Sequence, residues 1–446
     1  MPNTKRNLSF SKSSLVPWII CLLAVMFYFY DFILRITPSV MIQPLMKQYG
    51  VGATDIGLIS AFYFYAYTPL QIPSGIICDK YSIRWTLTLS ALLCAVGTLI
   101  FGEFTNLIAA FIGRAMMGIG SAFAFVAALK LASLWLPNKY FAFFSGLATS
   151  FGMIGAISSD TILSRMVVHI GWQSSIFITA IVGFIIAALI FFLVKDKPAW
   201  IEQMPKTYHS WKSILERVLD LLKNWRFWIN GIVGACLFTP VSVFASLWGV
   251  AFLMQNYHLA PAEGATAASL IFIGMAIGGP IAGWLSNVIQ NRRLPLFIGT
   301  ITTMALSLLL IYVDNLSAFT VLALLFFIGV FAGPESLVFA IARDMSPPRS
   351  TGISTATTNF IVTLSAAIFQ PVIGYLLTVH WQGLVTSSGV PQYSVQNYRF
   401  ALLILPVSLF IAFLCTFVIP KTRCQNIYKA STRRRQDDSV EDKVST

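Results

Sequence analysis

Along residues 16–42 apolar and aromatic side chains follow one another with few breaks. The same texture returns at 54–77, 84–102, 107–135, 141–163, 173–194, 228–254, 264–288, 294–313, 317–343, 352–378 and 400–419. Each run reaches the roughly 20 residues that an α-helix needs to cross a bilayer core. Hydrocarbon offers no partners for backbone N–H and C=O groups, so such runs are expected to be helices. The pattern predicts an all-α integral membrane protein with twelve transmembrane helices and both termini on one side. The first run is longer than a signal-peptide core and lacks a small-residue cleavage site, so it is read as a retained anchor.

Composition agrees, with 57% hydrophobic and 11% charged residues among 446 and a mean hydropathy of +0.76. Soluble domains carry roughly 25% charged residues. The net charge of +13 could suggest a nucleic-acid partner, but its distribution follows the helix ends. Of 30 Lys and Arg, 24 fall in the termini and even-to-odd loops, and three (Lys47, Arg165, Arg399) on the opposite side. Arg35, Arg114 and Lys130 lie inside spans. By the positive-inside rule the termini are cytoplasmic, and no nucleic-acid partner is expected. Cys21, Cys78, Cys94, Cys236, Cys415 and Cys424 have no metal-ligand spacing and are read as reduced. The histidines His169, His209, His258 and His380 have no triad or metal partners, and no phosphate-binding loop is present. No enzyme activity and no cofactor are expected.

The charged stretch from Asp196 to Arg226 separates six spans from six. Within it Trp211, Ile214, Leu215, Val218, Leu219 and Leu222 recur at helical spacing opposite Lys212, Glu216, Arg217 and Lys223, which predicts an interfacial helix. The halves echo one another. "GIICDKYSIRW" after span 2 pairs with "GWLSNVIQNRR" after span 8, offset by 208, and "VHIGWQ" pairs with "VHWQG", offset by 211. The expected organisation is a six-helix bundle over 1–195, a linker over 196–226, a second bundle over 227–420 and a basic tail over 421–446. Duplicated halves around a mid-membrane site are the layout of many secondary transporters.

With these motifs the chain resembles the major facilitator superfamily. Its loop signature is matched at Gly75, Asp79, Lys80 and Arg84, with Ser82 in place of a glycine and Trp85 in place of a base. Its span 4 signature is matched at Arg114, Gly118 and Gly120. The resemblance implies two pseudo-symmetric six-helix bundles and a gating role for Asp79, Lys80 and Arg84, with Asn287 and Arg292 at the echoed loop. Plain charge anchoring is the alternative for the bases. Span 5, from Gly146, lacks the Gly-Pro pair usual in drug exporters, and span 7 lacks the second arginine of organic-phosphate permeases. The segments "YDFILRITPSVM" and "SAFYFYAYTPLQIPSG" look most like the bacterial phagosomal nutrient group, which includes amino-acid importers.

Intramembrane charges cost enough that they are expected to face a partner or water. Asp31 and Arg35 stand one turn apart on one face of span 1. They read either as a structural ion pair or as the lining of a central water pocket, where they would take a solute's charged groups; the pocket is the expectation here. Tyr63 and Tyr67 share a face of span 2 with Gln71. Arg114 is a candidate for a solute carboxylate or for a structural role. Glu335, after Gly333 and Pro334 where the helix should break, is a candidate for a proton or an ammonium group. Lys130 is expected to snorkel to the inner surface. Asn359 and Gln370 are weaker candidates.

The expected function is import of a small polar solute, an amino acid or similar zwitterion, by proton symport with alternating access. Asp31 and Glu335 would carry the proton, and the protein would act as a monomer in the lipid bilayer. An organic-anion importer and a non-transporting nutrient sensor are the alternatives.

Overall fold

The computed structural model describes residues 15–198, 211–347 and 351–420. The basic N-terminal residues, the middle of the linker and the tail 421–446 lie outside the described residues. The long helices are α1 (Val16–Val40), α2 (Ala53–Lys80), α3 (Ile83–Glu103), α4 (Leu107–Trp135), α5 (Phe143–Ile170) and α6 (Trp172–Leu193) in the first half. The second half holds α7 (Trp225–Tyr257), α8 (Pro261–Val288), α9 (Arg293–Tyr312), α10 (Ala318–Asp344), α11 (Gly352–Val379) and α12 (Val395–Thr416). Eleven are long and apolar enough by composition to cross a membrane. The twelfth, α2, has the length at 28 residues, but Tyr63, Tyr67, Gln71 and two prolines lower its hydropathy. Helix α12 starts earlier than the expected residue 400 because Ser394 and Asn397 cap its N-terminus reciprocally.

Several helix N-termini are closed by short polar caps. Ser82 accepts from the Trp85 amide, Asn106 from Ile108 and Ser317 from Thr320. Gly50 and Gly171, at φ 65° and 83°, turn the chain at the opposite end from Ser82. We call these the Gly50 end and the Ser82 end. The linker contains a helix, Trp211–Lys223, anchored through Leu221 onto Phe227, Ala342 and Ile361 while Leu215 and Leu219 stay exposed.

Helices approach closely where side chains are absent. A Cβ on Gly118 of α4 would collide with the Tyr63 carbonyl of α2, and one on Gly329 of α10 with the Ile271 carbonyl of α8. Gly118 to Gly329 is an offset of 211 and Tyr63 to Ile271 one of 208, so the second and fourth helices of each half meet in the same way.

The halves meet along α2 and α11, which run antiparallel. Thr54 pairs with Thr378 at 2.9 Å, Thr68 with Thr363 at 3.0 Å, and Asn359 donates to Gln71 at 2.8 Å. At the Gly50 end the Tyr393 hydroxyl accepts from the Ala53 amide at 2.9 Å. A second seam runs between α5 and the first part of α8. With both seams packed, the Gly50 end is closed.

Candidate functional site

The deepest polar cluster forms where α1, α2 and α4 converge. Arg35 Nη2 donates to Asp31 Oδ2 at 3.2 Å, and the Tyr63 hydroxyl donates to Asp31 Oδ1. Both carboxylate oxygens are thereby occupied. The Arg35 guanidinium lies over the rings of Phe32 and Tyr67, at 4.3 and 4.8 Å, and Tyr67 stacks on Tyr63. Asp31 is 0% exposed and Arg35 7%. Aromatic side chains of Phe32, Tyr63 and Tyr67 pack around the pair. A cavity of about 680 Å³ lies at the Gly50 end, lined by Arg165, Tyr257, Leu259, Glu263, Thr266 and Leu316 among others.

Two donors in this cluster lack acceptors: Arg35 Nε, and Gln71 Nε2 one turn beyond Tyr67. The Gln71 carbonyl oxygen is held by Asn359, which orients the amide. Tyr67 is thus flanked by unsatisfied N–H groups, beside the seam with the second half.

Arg114 stands apart from that arrangement. Its Nε donates to Ile59 O at 3.3 Å, Nη1 to Leu34 O at 2.6 Å and to Met117 Sδ at 3.6 Å, and Nη2 to Arg35 O and Ser60 O at 3.5 Å. A guanidinium has five N–H donors, and five acceptors surround this one. The Leu34 and Arg35 carbonyls belong to the last turn of α1's regular helix, which leaves them without intrahelical partners and at the negative end of the helix dipole. Arg114 therefore ties α4 to α1 and α2, an arrangement that fits the structural one of its two candidate roles.

Glu335 sits in a 3-10 turn, Gly333–Ser336, where Pro334 interrupts α10. It is 6% exposed and has no hydrogen-bond or ion-pair partner among the described residues. Its turn packs on α7, α8 and α9, so the structure does not join Glu335 to the Asp31–Arg35 pair.

At the Ser82 end Asp79 pairs with Lys130 at 2.5 Å, and Lys130 is a partner of that loop rather than a lone snorkelling cation. In the second half Arg292 pairs with Asp344 at 2.9 Å. Each pair links the loop after the half's second helix to the end of its fourth, with the charges exchanged. Each pair lies within a single half and joins its second helix to its fourth. Lys80 lies over Tyr81, Arg84 packs on Phe191, and Asn287 is exposed with only its backbone carbonyl engaged, by Gln290. Ser82 and the Arg84 amide are bound by Asp196.

Residues 20–249 and 234–436 match the Major Facilitator Superfamily. The chain belongs to the major facilitator superfamily. As a superfamily transporter it is 22% identical over 359 residues to the D-galactonate transporter of Escherichia coli O6:H1, covering 74% of this chain and 82% of that one. It is 21% identical to the probable galactarate/D-glucarate transporter GudP of Bacillus subtilis, covering 82% and 87%. It is also 22% identical to the probable sulfoacetate transporter SauU of Cupriavidus necator, covering 59% of this chain and 64%, less than two thirds, of that relative. Among solved structures, a bacterial homolog of the human lysosomal transporter Spinster, inward-facing and unoccupied, superposes with a TM-score of 0.75 at 15% identity, covering 92% and 98%.

One buried acid of this superfamily member escaped the sequence reading. Asp160 is 0% exposed within a π-helical turn of α5, Ser159–Leu163, and takes a 3.3 Å hydrogen bond from Ser39 of α1. It lies inside the span expected at 141–163, and the cost of any intramembrane charge was the signal available to find it.

Proposed function

We propose that this transporter carries a small organic anion, a carboxylate or sugar acid, across a bacterial inner membrane together with protons, by alternating access between its halves. The observation that carries this reading is the pair of unpartnered donors, Arg35 Nε and Gln71 Nε2, flanking Tyr67 at the seam. An acceptor-rich solute satisfies donors; an ammonium group needs free acceptors, and both Asp31 oxygens are taken. Around Asp31 there are also two guanidiniums for one carboxylate, Arg35 and Arg114, which favours a negative solute. The D-galactonate, galactarate/D-glucarate and sulfoacetate transporters among its relatives point the same way. The zwitterion reading yields to this one.

In this scheme Arg35 and Gln71 bind the anion, Tyr63 and Asp31 hold Arg35 in place, and Tyr67 supplies an aromatic wall. Glu335, without a side-chain partner among the described residues, carries the coupled proton. The termini face the cytoplasm and the protein works as a monomer. Uptake of labelled D-galactonate, D-glucarate and sulfoacetate into proteoliposomes tests the reading. Accumulation should rise with an inward proton gradient and be competed by organic acids but not by amino acids. Competition by amino acids alone would restore the zwitterion. Binding without flux would favour a sensor, as in the related membrane sensor protein UhpC of Salmonella typhimurium.

A further inference from the structure

Asp160 lies outside the anion site, and its surroundings are unusual for a carboxyl group. Ser39 supplies its one hydrogen bond, to Oδ1, while Oδ2 and the neighbouring Ser159 hydroxyl are buried without partners. No ion pair reaches Asp160 among the described residues. The charges on the elements packed around it are Asp31 and Arg35 on α1, which pair with each other, Arg165 and His169 further along α5, and Glu263 on α8, which caps its own helix. An ionised carboxylate held by one neutral hydroxyl is far costlier to bury than a neutral acid.

The seat of Asp160 depends on closure of the Gly50 end. Its π-helical turn packs against the 3-10 turn Thr37–Val40 of α1 and against α8 of the other half. That 3-10 turn in turn touches the π-helical stretch Pro240–Trp248 of α7. Three irregular segments thus meet at one level of the bundle. Irregular backbone at membrane depth is tolerated where protein or a water-lined cavity covers it, and parting the halves here would replace the first cover with the second.

We propose that Asp160 is a proton-binding site that licenses closure of the Gly50 end: the halves close there over the protonated carboxyl, and opening returns it to water, where it ionises. The inference rests on the alternating-access reading given above and adds a proton site distinct from Glu335. Because the closed form holds the extra proton, the ratio of closed to open molecules falls as pH rises, by up to about tenfold per pH unit for one proton.

The experiment places spin labels at Val168→Cys on α5 and Phe319→Cys on α10, both exposed at the Gly50 end, in full-length protein with native cysteines replaced. In detergent both ends see one pH. Distance distributions over a pH series should gain a long component as pH rises, and Asp160→Asn should keep the short component throughout. Ser39→Ala, which removes the carboxyl's hydrogen bond and keeps its charge, should move the midpoint. An unchanged pH response in Asp160→Asn, or an unmoved midpoint in Ser39→Ala should the Asn variant not fold, overturns the inference. A short component indifferent to pH before Asp160 is altered also overturns it, while gradient-driven uptake by that same protein leaves the proposed function standing.

Discussion

Two buried arginines within one cluster do different work, and the difference lies in how their donors are spent. Arg35 has an idle Nε and a carboxylate that holds its Nη2, which leaves one N–H for the anion of the proposed function. Arg35→Lys keeps the charge and loses the planar fork. It should fold and raise KM for the transported acid about tenfold, the equivalent of one charge-assisted hydrogen bond, as measured by initial uptake rates. Arg114 has nothing to spare. Arg114→Gln leaves buried backbone carbonyls of α1 and α2 without donors and should cost about 3–5 kcal/mol, read as a lowered unfolding temperature in detergent, with solute selectivity unchanged in whatever protein folds. The spacing of Asp31 and Arg35, and the shared face of Tyr63 and Tyr67, made the first arrangement legible in the sequence. The second was not legible, because Arg114's acceptors are carbonyls of two other helices, and no side-chain pattern marks which backbone a guanidinium will meet.

Proline interrupts α10 at Pro334, whereas α2 runs unbroken through Pro69 and Pro73. The break in α10 was legible from Pro334, and it presents Glu335 without a side-chain partner among the described residues. Glu335→Gln should therefore retain solute exchange across proteoliposomes and lose accumulation driven by a proton gradient; accumulation that remained fully driven would remove Glu335 from coupling. The π-helical turns of α5 and α7 were not legible, since one extra residue in a turn leaves the hydropathy pattern intact while shifting which face looks inward. Close helix approach is a third element-scale feature, partly visible in the glycines of the span 4 signature. Gly118 leaves no room for a methyl group against the Tyr63 carbonyl, and Tyr63 holds Asp31. Gly118→Ala should cost about 1–3 kcal/mol by overpacking and weaken transport through a displaced Tyr63. Gly329→Ala, at the equivalent crossing of α10 on α8, should destabilise similarly without touching Asp31.

At the scale of the molecule, twelve apolar runs, a charge asymmetry and two internal echoes were enough to anticipate a duplicated helical transporter, because hydrophobic length and repeat offset are properties of the chain alone. Which end is closed is a property of contacts between the halves, and those reside in small polar groups scattered over α2 and α11. Thr54 and Thr378 face each other with hydroxyls 2.9 Å apart, backed by Tyr393 on the Ala53 amide, so this pair is the place to engineer a cross-link between the halves. If transport requires the Gly50 end to open, Thr54→Cys combined with Thr378→Cys should move solute when reduced and stop when oxidised, with flux returning on addition of a thiol. Anion binding from the Ser82 end, followed by tryptophan fluorescence, should survive oxidation, because the lock closes one end without touching Arg35 or Gln71. Flux that persisted across the closed disulfide would mean that the α2–α11 seam stays shut throughout the cycle. The moving surface would then have to be the other seam, between α5 and α8, where Asp160 is buried.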